Sequence, residues 1–154
     1  MSELQSLITD EHRALIGKKS EPTIVTVSGV DAARMRDVLG DADPRYADGT
    51  GIAPPYVICG LGGSGRRGGG VMVLPSGMLT QQEWRFTRPF RMGETLSAVN
   101  QTIDIRERLG GRYGHSILVT TATDYFDTEG NHVAASLLTI TQFDPKGAKR
   151  GGDE

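Results

Sequence analysis

Apolar and polar residues alternate through most of the second half of the chain, and a period of two is typical of half-buried β-strands. Val, Ile and Thr are frequent in these stretches, which glycine-containing turns separate. The segment Asp127–Asn131 has the composition of a hairpin loop. The pattern predicts three or four long antiparallel strands, at 79–90, 95–108, 115–126 and 132–143.

The first third of the chain carries mainly helical signals. Ser28 suits a helix N-cap, and Gly40 suits the left-handed position that ends a helix, so a helix is predicted over 30–39. A loose apolar stripe predicts another helix over 2–16. A β-branched run predicts a strand within 23–27.

A short apolar segment, Tyr56–Leu61, follows Pro54 and Pro55. Proline suits the first turn of a helix, and a helix that is apolar all round is a buried one. Helices and strands are segregated along the chain, which is typical of the α+β class. We therefore expect a curved antiparallel sheet wrapped around one buried central helix.

Composition narrows the class of protein. With 154 residues and 37% hydrophobic residues, the chain is expected to be one globular domain with a core at about 12–143 and a loose charged tail at 146–154. Its one cysteine, Cys59, excludes an internal disulfide framework and a cysteine-based zinc site. No apolar run is long enough to span a membrane, and no signal peptide pattern begins the chain, so we expect a cytoplasmic protein without membrane contact.

Charge is distributed unevenly. The net charge of −2 argues against a general nucleic-acid partner. Residues 51–112, however, contain eight arginines against four acidic residues, hence +4. Because guanidinium groups pair well with phosphates, Arg66 and Arg67 are candidate contacts for a phosphate-bearing ligand.

Two other patterns have simpler structural explanations. The segment 60–65 matches G-x-G-x-x-G, but it lacks the preceding strand and following helix that a dinucleotide site requires. Aromatic residues alternate with arginines at 84–91, as in some single-strand nucleic-acid sites, but a half-buried strand shows the same alternation. The three histidines lack ligand spacing, so no metal site is expected.

The most informative stretch is Gly40–Tyr46, followed by Ala53-Pro54-Pro55. Gly40, Asp41 and Pro44 match the motif S-G-D-x-N-P-x-H, whereas Asp43 replaces its Asn and Tyr46 replaces its His. The sequence thus resembles the MaoC-like (R)-specific enoyl-CoA hydratases and dehydratases, which have the hot-dog fold. It is most similar to their non-catalytic N-terminal hot-dog half, which shows G-D-x-x-P-x-Y and then A-P-P. Further similar stretches extend the resemblance over about 12–143.

The resemblance implies a chemistry that this chain only partly retains. In the family, the Asp and His activate water, and amides at the start of the central helix polarise the thioester carbonyl. A phenol with an ordinary pKa of ~10 cannot replace histidine as a base near neutral pH, and Pro54 and Pro55 lack N–H donors. Asp41 remains the candidate catalytic residue, beside Tyr46 in the histidine position.

The function expected from the resemblance is that of a hydro-lyase subunit. The chain would shape the acyl pocket for a 2-enoyl or 3-hydroxyacyl thioester of coenzyme A or acyl-carrier protein, with no other cofactor. A second hot-dog subunit with an intact motif would supply the Asp/His pair, in a heterodimer or heterotetramer. Its candidate substrate-binding residues are Tyr46, Ile52, Ala53, Tyr56, Gly60, Arg66 and Arg67.

Three alternatives stay open. The chain could be a self-sufficient homodimeric hydratase that uses Asp41 with a residue outside the motif. It could also be a non-catalytic acyl-CoA-binding protein. A hot-dog thioesterase is the third, although such enzymes usually carry an acidic residue on the central helix and residues 56–65 contain none.

Overall fold

The computed structural model describes residues 5–61 and 70–147. Three α-helices and seven strands lie in these ranges, together with short 3₁₀ turns at Pro44–Tyr46 and Pro145–Gly147. The helices and strands are α1 (Asp10–Arg13), β1 (Thr23–Thr26), α2 (Gly29–Leu39), β2 (Ile52–Ala53), α3 (Tyr56–Leu61), β3 (Ser76–Phe86), β4 (Phe90–Arg91), β5 (Thr95–Leu109), β6 (His115–Phe126) and β7 (His132–Phe143).

Five strands form one antiparallel sheet in the order β1-β5-β6-β7-β3. This curled sheet confirms the predicted α+β hot-dog architecture. The bounds of β6 and β7 agree with the sequence pattern, because the turn Asp127–Asn131, rich in Asp, Gly and Asn, separates the two strands.

The predicted strand at 79–90 is wrong at both of its ends. β3 begins at Ser76 and ends at Phe86, and Phe90 starts the separate strand β4, which pairs with β2. Pro89 lies between them and has no N–H to continue a ladder. Two-residue strands such as β2 and β4 are too short to show a period, so the sequence pattern contained no sign of this pair.

The predicted N-terminal helix is also wrong in extent. Only α1 is helical within the described part of 2–16. A capping box between Thr9 and His12 sets its start, and the chain soon turns at Gly17, where φ is 82°. From there residues 17–20 run beside β5, and the Gly17 N–H donates to the Thr102 carbonyl at 2.8 Å.

The helix α2 forms as its caps predict. The Ser28 side chain accepts a hydrogen bond from the Asp31 N–H at 3.3 Å, and Gly40 ends the helix at φ 63° in the left-handed region. The end of α2 is therefore well defined, and it directs the chain into the loop that begins with Asp41.

The helix α3 packs against the inner face of the sheet. Val57 and Ile58 are fully buried in a cluster with side chains from β1, β4, β5, β6 and β7, such as Phe90 and Leu96. A second apolar cluster lies farther along the sheet, around Ile117 of β6. The predicted central helix is thus confirmed, although its Tyr56 and Cys59 are only half-buried.

The remaining sequence predictions concern membrane-spanning helices and the C-terminal tail. Within the described residues, no helix is long and apolar enough to cross a membrane. Of the predicted loose tail at 146–154, Lys146 and Gly147 belong to a 3₁₀ turn, and the remainder lies outside the described residues.

Candidate functional site

Asp41 lies directly after the left-handed cap of α2, and both of its carboxylate oxygens accept hydrogen bonds from this chain. The Asp43 backbone N–H donates to Oδ1 at 2.9 Å. The Tyr56 hydroxyl, at the start of α3, donates to Oδ2 at 2.5 Å. This side-chain contact joins Asp41 and Tyr56, which are 15 positions apart in the sequence.

These contacts change the protonation behaviour of both partners. The hydrogen bond from Tyr56, followed by the one from the Asp43 backbone, lowers the pKa of Asp41 below its usual 3.8. Burial and the bond to Asp41 raise the pKa of Tyr56 to about 12. At neutral pH the pair is therefore a carboxylate and a phenol. A carboxylate that is already satisfied by two donors is a weak base toward water.

Arg36 of α2 fixes the loop from the other side. Its guanidinium donates to the Asp41 carbonyl at 3.3 Å and, more closely, to the Tyr46 carbonyl. One side chain thus holds both ends of the motif, so the loop is attached to α2 as well as to α3. The sequence contains no signal for this role of Arg36, because an Arg in the last turn of a helix is ordinarily explained by its favourable interaction with the helix dipole.

Asp43 and Tyr46 occupy the positions where the family motif has Asn and His. Asp43 accepts from the Arg45 N–H at 3.0 Å and pairs with the Arg45 guanidinium at 2.6 Å. These bonds lower the pKa of Asp43 to about 2. The same guanidinium lies 5.3 Å from the centre of the half-buried Tyr46 ring. Asp43 is thus engaged with Arg45, and Tyr46 places a phenol where the motif has an imidazole.

The start of α3 provides few free amides. Pro54 and Pro55 have no N–H, and their carbonyls accept from Val57 and Ile58 at 3.1 and 3.3 Å. The Ile52 N–H donates to the Thr50 hydroxyl at 3.3 Å. Of the six positions 51–56, two thus lack an N–H and one amide is used within the loop, so fewer donors remain for the thioester carbonyl that the resemblance implies at this end of the helix.

The structure brings some of the predicted site residues together. Asp41 contacts Tyr56, and Arg36 links Asp41 to Tyr46. Ala53 is fully buried in β2, within the core cluster that includes Val57 and Ile58 of α3.

Gly60 is a predicted site residue that lies apart from this contact. Gly60 is exposed at the far end of α3, where a methyl group would lie 3.2 Å from the Met35 sulfur. Its lack of a side chain thus allows α3 to approach α2. Arg66 and Arg67 lie outside the described residues.

A match to a protein-family model shows which family this chain belongs to. A family model described as "FAS1-like, dehydratase domain region" matches residues 14–136. The chain belongs to this dehydratase family. The match agrees with the resemblance to MaoC-like hydratases and dehydratases that the motif around Asp41 indicated. No curated protein matches the sequence significantly.

Solved structures share the fold of this FAS1-like dehydratase chain at low identity. The (R)-hydratase PhaJ1 from Pseudomonas aeruginosa is 20% identical with a TM-score of 0.61, and the match covers 84% of this chain and 82% of that chain. A chain of the ChsH1–ChsH2 complex from Mycobacterium tuberculosis is 19% identical with a TM-score of 0.69, covering 84% and 91%.

A third neighbour is also a complex of two different subunits. A chain of the HadBC (3R)-hydroxyacyl-ACP dehydratase from Mycobacterium tuberculosis is 15% identical with a TM-score of 0.59, and the match covers 79% of this chain and 96% of that one. At these identities the likeness establishes the fold alone.

Proposed function

We propose that this chain is the non-catalytic subunit of a hydratase or dehydratase that acts on 2-enoyl or 3-hydroxyacyl thioesters. The observation that carries the proposal is the hydrogen-bonded state of Asp41. Hydration needs a free base for water, an acid for the α-carbon and donors for the enolate oxygen. Here the carboxylate accepts from Tyr56 and Asp43, and the histidine position holds Tyr46.

The Asp/Tyr pair has a structural role in this proposal. The bond between Asp41 and Tyr56 ties the loop to α3, and Arg36 ties the loop to α2. The motif is thereby retained as a rigid wall of the acyl pocket. Tyr46, Ile52, Ala53, Tyr56 and Gly60 remain the proposed lining of that pocket, and Arg66 and Arg67 the proposed contacts with thioester phosphates.

The edge strand β3 is the proposed contact with the catalytic subunit. Among the residues that the structure describes, it pairs only with β7 and ends the five-stranded sheet. Its residues 77–82 are all exposed, and Leu79 is 53% exposed. An unpaired edge with uncovered apolar side chains is suited to pairing with a strand of another chain. Both ChsH1–ChsH2 and HadBC are complexes of two chains, which supports this arrangement.

Purification of the tagged protein from its own cells tests the proposal. We expect to isolate the tagged protein from the cytoplasmic fraction. It should have the native mass of a heterodimer or heterotetramer. Mass spectrometry should identify a second hot-dog chain with an intact D-x-N-P-x-H motif. A homodimer that hydrates enoyl-CoA by itself would contradict the proposal and favour a self-sufficient hydratase. A homodimer that only binds acyl-CoA would indicate a binding protein.

A further inference from the structure

A cavity of about 270 Å³ lies between the segment 15–20 and the strands β5 and β6. Its lining includes Asn100, Thr102 and Thr121 on the inner face of the sheet. Thr102 and Thr121 are register partners, and Asn100 lies two positions before Thr102 on the same face. The site is therefore built on paired strands, which hold its side chains in fixed positions.

The floor of this cavity contains polar groups with unused hydrogen-bonding capacity. Asn100 is 6% exposed and Thr102 is 7% exposed. The Asn100 side-chain oxygen accepts from the Thr123 hydroxyl at 2.6 Å, which directs its amide nitrogen elsewhere. Within 5–61 and 70–147, neither that nitrogen nor the hydroxyls of Thr102 and Thr121 make a hydrogen bond. The Asn100 nitrogen is not one of the side-chain atoms that are fully enclosed without a partner, so it is open to solvent and available to a ligand.

The rim of the cavity is positively charged. Lys18 and Lys19 both line it, and no acidic side chain from the described ranges 5–61 and 70–147 does. Among the described residues, no carboxylate forms an ion pair with either lysine. Leu15 and Val71 supply an apolar wall. The combination suits a small ligand with an anionic group at the rim and oxygen atoms that reach the floor.

We propose that this cavity binds a small organic carboxylate that also carries a hydroxyl or carbonyl oxygen. The lysines at the rim pair with the carboxylate. The Asn100 amide and the Thr102 and Thr121 hydroxyls bond the additional oxygen, and the carbon skeleton lies against the apolar wall. The proposal goes beyond the function proposed above and does not depend on it.

Nuclear magnetic resonance titrations of the full chain test the site with three probes: malate, succinate and inorganic phosphate. Malate should shift the Asn100 side-chain amide and the Thr102 and Thr121 methyl signals in a saturable way, with a Kd on the order of 1 mM. Succinate, which lacks the hydroxyl, should bind about fivefold more weakly. Phosphate should cause little change at the floor.

Substitutions separate the rim from the floor. Lys19→Glu should weaken malate binding about tenfold, whereas Lys146→Glu, at an exposed lysine elsewhere, should leave it unchanged. Thr102→Val should remove the preference for malate over succinate. Thr120→Val is the matched control. Thr120 is the neighbour of Thr121 on β6, and neighbouring side chains on a strand point to opposite faces, so Thr120 points away from the cavity. Amide spectra of each variant verify that it is folded.

Three results would overturn the proposal. They are the absence of saturable shifts with malate, equal binding of phosphate and malate, and binding that Lys19→Glu leaves intact. The titrations use the chain without a partner or thioester. Failure of this site is therefore distinguishable from failure of the proposed hydratase role.

Discussion

At the scale of single residues, Asp41 keeps the side chain that the family motif requires, yet both of its oxygens are engaged within this chain. The motif around Gly40 located Asp41 and the substitution at Tyr46 from the sequence alone. It did not locate Tyr56 as the partner of Asp41, because an aromatic residue that opens an apolar helix is expected to pack in the core. Only the packed structure shows that its hydroxyl points to the loop.

The substitution Tyr56→Phe removes one of the two donors to Asp41. We expect the pKa of Asp41 to rise toward its ordinary value of 3.8, because the phenol is the largest cause of the lowering. A carbon-detected titration of the Asp41 carboxyl by nuclear magnetic resonance measures this shift. Tyr113→Phe is the matched control and should leave Asp41 unaffected. An unchanged pKa in Tyr56→Phe would show that the hydrogen bond does not form in solution.

The same pair gives stability a pH dependence. The pKa of Asp41 is lower in the folded chain than its value of 3.8 in an unfolded one. Its ionised form therefore adds stability above that value, and this contribution disappears as the pH falls through the folded-state pKa. Urea unfolding should show a difference between wild type and Tyr56→Phe at pH 7 that shrinks below pH 3.8. A difference that is constant with pH would assign the loss to packing alone.

At the scale of elements, the predicted strand bounds were correct where a regular alternation of apolar and polar residues ended at turn residues. The bounds of β6 and β7 agreed with the pattern because turn residues stop the alternation. The helix predicted at 2–16 was wrong in extent because a loose apolar stripe is not enough to stabilise a helix of that length, and the chain turns at Gly17 so that residues 17–20 run beside β5. The contacts between β2 and β4 depend on tertiary structure and have no local signal.

The cap at Gly40 provides a test of one predicted helix end. Gly40→Ala places a side chain at φ 63°, which should destabilise the fold by about 1 kcal/mol. Gly29→Ala, at the other end of α2, has a helical backbone and room for a methyl group, so it should be neutral or stabilising. Thermal unfolding of both variants compares them. Equal losses would mean that the left-handed cap is not formed.

The central helix α3 holds its position through buried apolar side chains. Ile58→Ala should lower the free energy of unfolding by about 2–5 kcal/mol, because Ile58 is fully buried among side chains of the sheet. Val38→Ala on α2 is the control, since Val38 is 82% exposed, and it should change stability by less than about 0.5 kcal/mol. Urea denaturation measures both. A small loss at Ile58 would contradict the packing of α3 against the sheet.

At the scale of the whole molecule, the sheet has two different edges. Both carry an exposed apolar side chain, Leu79 on β3 and Ile24 on β1. Only β3 is proposed to pair with a second subunit. Leu79→Lys should therefore weaken assembly at least tenfold, or roughly 1.4 kcal/mol, because it removes apolar contact and places a charge in the interface. Ile24→Lys should leave assembly unchanged, as measured by light scattering of the purified complex. The reverse pattern would move the interface to β1.

We propose that this chain shapes the acyl pocket while a second subunit performs the chemistry. The most direct test is the rate of trans-2-enoyl-CoA hydration by the lone chain and by its complex with the co-purified subunit. We expect no detectable hydration by the lone chain. Asp41→Asn in this chain should leave the rate of the complex within about twofold, a change of roughly 0.4 kcal/mol in the barrier. Hydration by the lone chain that Asp41→Asn abolishes would instead make Asp41 the catalytic residue and rule out a purely structural subunit.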